Sequence, residues 1–244
     1  VTILPLDTPA LPYYNHPMTT LALIAAHALL AASPARAADA AAAARLDFAA
    51  GAVTAETAGA KRPVKTGAAL AAGDVIETAA AATAVVRLAD GSRLKLRGGS
   101  RLQLTPQPPN SRATEVMLFL GGVFAQITKR STDAEFRVRT PGAVAAVRGT
   151  RFFTAFGRTR GKERDLWVCV DEGLVEVGSN ASKERRGVPA GSGVLIKGEK
   201  DVTKPQPYNW TKKLNWNMDP AKGAVEDKTN LDSAYADLLD QDYR

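Results

Sequence analysis

Four arginines and a glutamate carry the charge chemistry this sequence could do. Arg137 and Arg139 alternate with apolar neighbours, Arg148 and Arg151 flank the Gly149-Thr150 bend, and Glu172 stands in Asp171-Glu172-Gly173. A row of guanidinium groups could hold an anion, because each offers several N–H donors in one plane. The plainer reading is preferred: alternating arginines are the wet face of a strand. Arg148 and Glu172 differ from the others, since both sit at bends beside a glycine. An unpaired charge at the edge of a β core is disfavoured, so an Arg148–Glu172 ion pair is expected to tie the two bends together.

Nucleophilic and metal chemistry have less to work with. Cys169 is the only cysteine, and its apolar, β-branched neighbours in LWVCVDEG suggest a half-buried strand position rather than a nucleophile. A lone cysteine allows no internal disulfide. The only histidines, His16 and His27, precede the expected mature chain, which removes His-based metal sites and Ser or Cys triads from it. There is no phosphate loop, HExxH or CxxC. Asp74, Asp90 and Asp171 stand at turns, where aspartate serves the backbone. Two opposed carboxylates in a cleft stay open as a glycosidase arrangement. No catalytic residue, metal site or cofactor is expected.

The elements that must position these residues read as strands. Phe136, Val138 and Thr140 point one way and Arg137 and Arg139 the other, which is the two-residue period of a strand with one buried face. Pro141-Gly142 ends that strand. The apolar run Ala143 to Val147, the bend at Arg148-Gly149-Thr150 and the β-rich run Arg151 to Phe156 complete a β corner. At Asp90, a three-residue loop Ala89-Asp90-Gly91 keeps Val86 opposite Leu94 and Ala84 opposite Leu96, with a left-handed Gly91. Arg87, Arg93, Lys95 and Arg97 then share the outer face. At Gly121-Gly122 a two-residue hairpin pairs Leu120 with Val123 and Phe119 with Phe124, with both faces apolar. Asp171-Glu172-Gly173 reads as a hairpin loop of two or three residues. Strands at this spacing with Gly-rich turns point to an all-β sandwich or barrel.

The 244 residues are 45% apolar and 23% charged, which suits a folded domain rather than a disordered chain. Net charge is +7; six acids and two bases from Gly223 onward leave +11 on the rest. A basic body could meet polyanions, but solubility is the plainer reading. The basic pairs Lys61-Arg62 and Arg185-Arg186, and Arg158-Thr159-Arg160, lack interleaved aromatics, so nucleic acid is not an expected partner.

Met18 to Ala37 matches a secretory signal peptide, with an apolar run from Leu21 to Ala32 and an Ala35-Arg36-Ala37 cleavage site. Val1 to Pro17 reads as an upstream extension, and no later segment reads as a membrane span. Residues 38–49 are expected to be a linker, 50–200 the β domain, and 201–244 a polar arm. In the arm, Asn230 caps a short final helix bearing Leu231, Tyr235, Leu238 and Leu239 on one face.

Five segments resemble, in order, the FecR domain family, named after the ferric-citrate regulator of Gram-negative bacteria. They are GAALAAGDVIET (Gly67 to Thr78), LADGSRLKL (Leu88 to Leu96), LFLGGVF (Leu118 to Phe124), TPGAVAAVRGTRF (Thr140 to Phe152) and VDEGLVEV (Val170 to Val177). The resemblance implies a jelly-roll-like β-sandwich; a short β-solenoid is the alternative. It also implies a periplasmic location. In the family's signalling members the domain relays an iron-siderophore signal from an outer-membrane receptor to a sigma factor. Neither an anti-sigma region nor an internal membrane helix is read here, so a periplasmic domain that binds a protein or an envelope ligand is expected. The second reading is an envelope structural protein that binds polyanionic cell-envelope glycans through a basic face. A hydrolase is the third.

Overall fold

A computed structural model of the chain describes residues 42–108, 111, 113–129, 135–160 and 163–234. The signal-peptide reading and Tyr235, Leu238 and Leu239 lie outside them. Two sheets, antiparallel but for one strand pair, form the body. The first holds, in spatial order, β4 (Ala69–Leu70), β1 (Ala44–Ala50), β6 (Thr83–Leu88), β7 (Arg93–Leu96), β9 (Ala113–Gln126), β12 (Arg151–Arg160), β13 (Glu163–Glu172), β16 (Gly193–Lys197) and β17 (Asp201–Val202). The second holds β3 (Ala60–Pro63), β2 (Val53–Thr57), β5 (Val75–Thr78), β8 (Arg101–Leu104), β9 again, β10 (Glu135–Arg139), β11 (Ala143–Val147), β14 (Leu174–Ser179) and β15 (Arg185–Pro189). Only the β9–β10 pairing is parallel among these. Antiparallel neighbours make this a sandwich, not a solenoid of parallel turns. β1 occupies part of the stretch read as a linker, with Leu46 fully buried.

The alternation read around Phe136 sets the second sheet. Phe136 and Val138 are buried between the sheets while Arg137 and Arg139 stay partly exposed, and Pro141-Gly142 is a two-residue turn that places Arg139 opposite Val144. Inward residues of both sheets meet in one core. Leu46, Val86, Leu94 and Phe152 come from the first sheet and Ile76, Leu102, Phe136 and Val175 from the second. Each such side chain contributes about 1.5–3 kcal/mol by leaving water. The Asp90 hairpin has the expected register: Val86 faces Leu94, Ala84 faces Leu96, and Gly91 has φ +83°. Asp90 caps the loop by accepting from the Ser92 amide at 2.9 Å.

Three expectations need correction. Gly121-Gly122 is not a hairpin. β9 is continuous through it, pairing with β8 and β10 up to Leu120 and with β7 and β12 from Gly121 on. The strand bends from one sheet into the other there, so its inward residues change parity, from Val116 and Leu118 to Val123 and Ala125, and both faces read as apolar although Leu120 is exposed. Asp171-Glu172-Gly173 is not a hairpin either: β13 lies in the first sheet and β14 in the second, so Gly173, at φ +87°, is a corner. A Cβ there would sit 2.7 Å from Thr150 Cγ2, which packs this corner onto the Gly149 corner. Finally, the outer face of β7 is not uniformly wet, because Lys95 is fully buried.

Candidate functional site

What buries Lys95 is the C-terminal arm. The arm reads as polar, yet Tyr208, Leu214, Met218, Val225 and Ala234 form a second apolar layer with Val85, Phe124, Phe153, Trp167, Cys169 and Leu195 on the outside of the first sheet. Phe124 lies 4.6 Å from Phe153 and meets Trp216 edge-on at 5.3 Å. The arm carries single 3-10 turns at Asn209–Lys213 and Pro220–Lys222, and a helix starts at Leu231. Asn230 caps that helix as expected, accepting from the amides of Asp232 and Ser233 at 2.9 and 3.1 Å.

Strand alternation sends Lys95 outward from β7, beside Val85 of β6, into the space that the arm closes. Its ammonium donates to the carbonyls of Asn215, Asn217 and Val225 at 2.5, 2.8 and 3.0 Å. It also stands 4.3 Å above the Phe124 ring. Three N–H bonds meet three carbonyls, so the buried charge is fully hydrogen-bonded. Burial still lowers its pKa from 10.5 to about 8; Asp227 and Glu226 oppose the shift and Arg97 adds to it. Arg97, two residues on, donates to Thr229 O at 2.7 Å and to Asp227 O at 3.4 Å, and its Nε lies 3.2 Å from Asp227 Oδ2. That last contact is an ion pair without an aligned hydrogen bond, since Oδ2 accepts none while Oδ1 accepts from Asn215 N and Thr229 Oγ1, each at 2.9 Å. Burial holds the Arg97 pKa below its ordinary value, against Asp227.

Beside this network a groove of about 410 Å³ runs between the first sheet and the arm. Arg97, Gly122, Phe156, Asp165, Trp167 and Leu231 are among its walls. It offers aromatic and apolar surface with one paired guanidinium and two carboxylates, Asp165 and Asp232, and the Asp165 carboxylate already accepts from the Gly198 amide at 2.7 Å. Such a groove can bind. Among the described residues no cluster of three His, Cys, Asp or Glu could hold a metal ion. Cys169 is fully buried, not half-buried, and burial pushes its thiol pKa well up, the opposite of what a nucleophile needs.

The predicted arginines fall into two places. Arg137 and Arg139 lie on the outer face of the second sheet, where Glu135 pairs with Arg137 and Glu115 reaches Arg139 at 3.5 Å. Arg151 and Glu172 lie opposite each other on β12 and β13. The Arg151 guanidinium holds Asp171 and stands 2.7 Å from Glu172. Arg148 is exposed and forms no ion pair with a described residue; Arg151, not Arg148, reaches Glu172. At Arg151 the chain already runs antiparallel to β13, so its side chain has the short path. Lys61-Arg62 and Arg185-Arg186 lie on β3 and β15, the two edges of the second sheet, each strand ending in proline. Charge and proline at an edge discourage pairing with other chains. Asp74 is fully buried and serves its turn, accepting from Thr57 Oγ1 and Ala71 N at 2.7 and 2.9 Å.

The chain is thus a two-sheet β-sandwich whose first sheet is covered by its own C-terminal arm. Residues 74–176, from the Asp74 turn into β14, match the family described as FecR protein, so the chain carries a FecR domain. Two crystal structures of a proposed anti-sigma factor from Parabacteroides distasonis ATCC 8503, at 1.65 and 2.50 Å resolution, are similar to it. Each covers 67% of this chain and 72% of its own, with TM-score 0.49 and 19% and 20% identity respectively. No curated protein matches the chain.

Proposed function

We propose that this is a periplasmic, non-catalytic FecR-domain protein that works by binding another protein, in a signal-related role. The observation that carries the reading is how its ionisable groups are used. Lys95, Arg97 and Asp227 hold the arm, Arg151 holds a corner, and Asp74 and Asp90 hold turns. These groups are committed to holding the fold rather than arranged around a reacting atom. Pairing of Arg137 and Arg139 with carboxylates also weakens the alternative of a polyanionic glycan ligand, because the face is close to charge-balanced. The periplasmic location rests on the signal-peptide pattern of Met18 to Ala37. The test is crosslinking of the mature chain in intact periplasm, followed by capture. A defined protein partner that survives high salt supports the reading. Retention on cell-wall material that salt washes off would favour the glycan alternative instead.

A further inference from the structure

The arm adds no strand of its own to either sheet after Gln206, whose isolated bridge to Gly193 is its last backbone tie to the first sheet among the described residues. From Tyr208 on, it meets that sheet through apolar side chains and through Lys95 and Arg97, which together donate five hydrogen bonds to arm carbonyls. Its other bonds are largely internal. The Asn215 side-chain amide donates to Ala224 O and Glu226 O, and the Asn217 amide to Asp219 O, Gly223 O and Ala224 O. A segment that keeps its own bonds and breaks no strand ladder can open below the cost of global unfolding.

We propose that the arm from Tyr208 to Ala234 is a releasable cover over the first sheet, with Lys95 and Arg97 as its catch. Release bares Phe124, Phe153 and Trp167, an apolar surface that the closed arm denies to any partner. The proposal therefore deepens the binding reading above by giving it a regulated state. The catch has a direction in pH. The charged groups facing the Lys95 ammonium are Arg97, next to its own strand, and Asp227 and Glu226 on the arm. Closed, Lys95 gives up its proton near pH 8; released into water, it would keep it to about 10.5. Release thus takes up a proton between these values. It becomes easier as pH falls toward 8 and is insensitive to this group below that.

Acylation of Lys95 in the full mature chain tests this, read by peptide mass spectrometry beside hydrogen exchange of the Phe152 amide in β12. A buried amine reacts only when uncovered. Lys95 is expected to be acylated at least about tenfold faster than Phe152 reports global opening, a difference of about 1.4 kcal/mol in opening free energy. Asp227→Asn lies on the arm and removes the partner of Arg97 while keeping an oxygen for Asn215 N and Thr229 Oγ1. It is expected to raise the Lys95 rate severalfold further and leave Phe152 unchanged. If Lys95 reacts only as fast as the whole sandwich opens, in both proteins, the arm is a fixed part of the fold and the proposal fails. No partner is present in this measurement, so an empty capture experiment would sink the binding reading without touching the cover, and the reverse.

Discussion

Gly121 and Ser100 approach so closely that no side chain fits between them. A Cβ at Gly121 would stand 2.4 Å from Ser100 Oγ and 2.5 Å from its Cα. Ser100 in turn fixes the bend of β9, donating to Gly122 O at 3.1 Å and accepting from Gly122 N at 3.0 Å. The glycine is needed for contact as well as for its φ of +91°.

That relationship separates two costs. Gly99 also has positive φ, at +70°, but a Cβ there meets nothing within 4 Å. Gly99→Ala should lose only the left-handed preference, about 1–2 kcal/mol. Gly121→Ala adds overpacking of about 1–3 kcal/mol more. Urea unfolding of the two variants should place Gly121→Ala clearly lower, and equal midpoints would mean that Ser100 yields without cost.

How much of this the sequence could reveal depends on whether a strand stays in one sheet. The Asp90 hairpin is legible because Val86, Leu94, Ala84 and Leu96 must share one inner face, which leaves one register. The β10–β11–β12 corner is legible for the same reason. β9 is not: its inward residues change parity where it passes between sheets, from Val116 and Leu118 to Val123 and Ala125, and it carries glycines at the bend, as a hairpin would. Asp171 to Gly173 is ambiguous in the sequence because either loop length leaves one plausible apolar face, whereas β13 and β14 lie in different sheets and no hairpin joins them. The arm was hidden by composition, since Tyr208, Leu214, Met218 and Val225 follow no period. Its signal lay elsewhere, in apolar and aromatic residues (Val85, Phe124, Phe153) on the face that Lys95 shares. Such a face cannot be left to water, and something in the chain had to cover it.

Gly91 gives a cleaner conformational test. A Cβ there would touch only Thr128 Oγ1, at an ordinary 3.6 Å, so the backbone angle alone decides the cost. Asparagine tolerates φ near +83° and valine does not. Gly91→Asn should therefore unfold at a higher denaturant concentration than Gly91→Val. Coincident midpoints would argue against the left-handed loop.

The Glu172 ion pair should be measurable, and it should be small. Arg151 is 31% exposed and Glu172 65% exposed at the side chain, so solvent screens the pair to about 0–1 kcal/mol. A double-mutant cycle of Arg151→Met with Glu172→Gln should show a small coupling of that size. The same cycle on Arg148→Met with Glu172→Gln should be additive within about 0.5 kcal/mol. Coupling at Arg148 larger than at Arg151 would reverse the assignment.

The buried ammonium predicts a pH dependence with an unusual sign. Unfolded, Lys95 titrates at 10.5; folded, at about 8, chiefly because burial penalises the charge. Between these values the unfolded chain holds more protons than the folded one, so stability contributed by this group rises with pH. Below about pH 8 both states are protonated and the contribution is flat, at its least favourable. The gap corresponds to about 3 kcal/mol at most, and partial water access would shrink it. The comparison needs a reference protein that lacks only this group. Lys95→Met keeps the chain length and has no proton to lose, although it leaves the carbonyls of Asn215, Asn217 and Val225 without their donor. The wild type should therefore gain stability relative to Lys95→Met as pH rises from about 7 to about 10, whatever the offset between them at neutral pH. Denaturant midpoints at the two pH values give the answer. A difference that stays constant, or that shrinks in the other direction, would mean that Lys95 is not held at a lowered pKa under the arm.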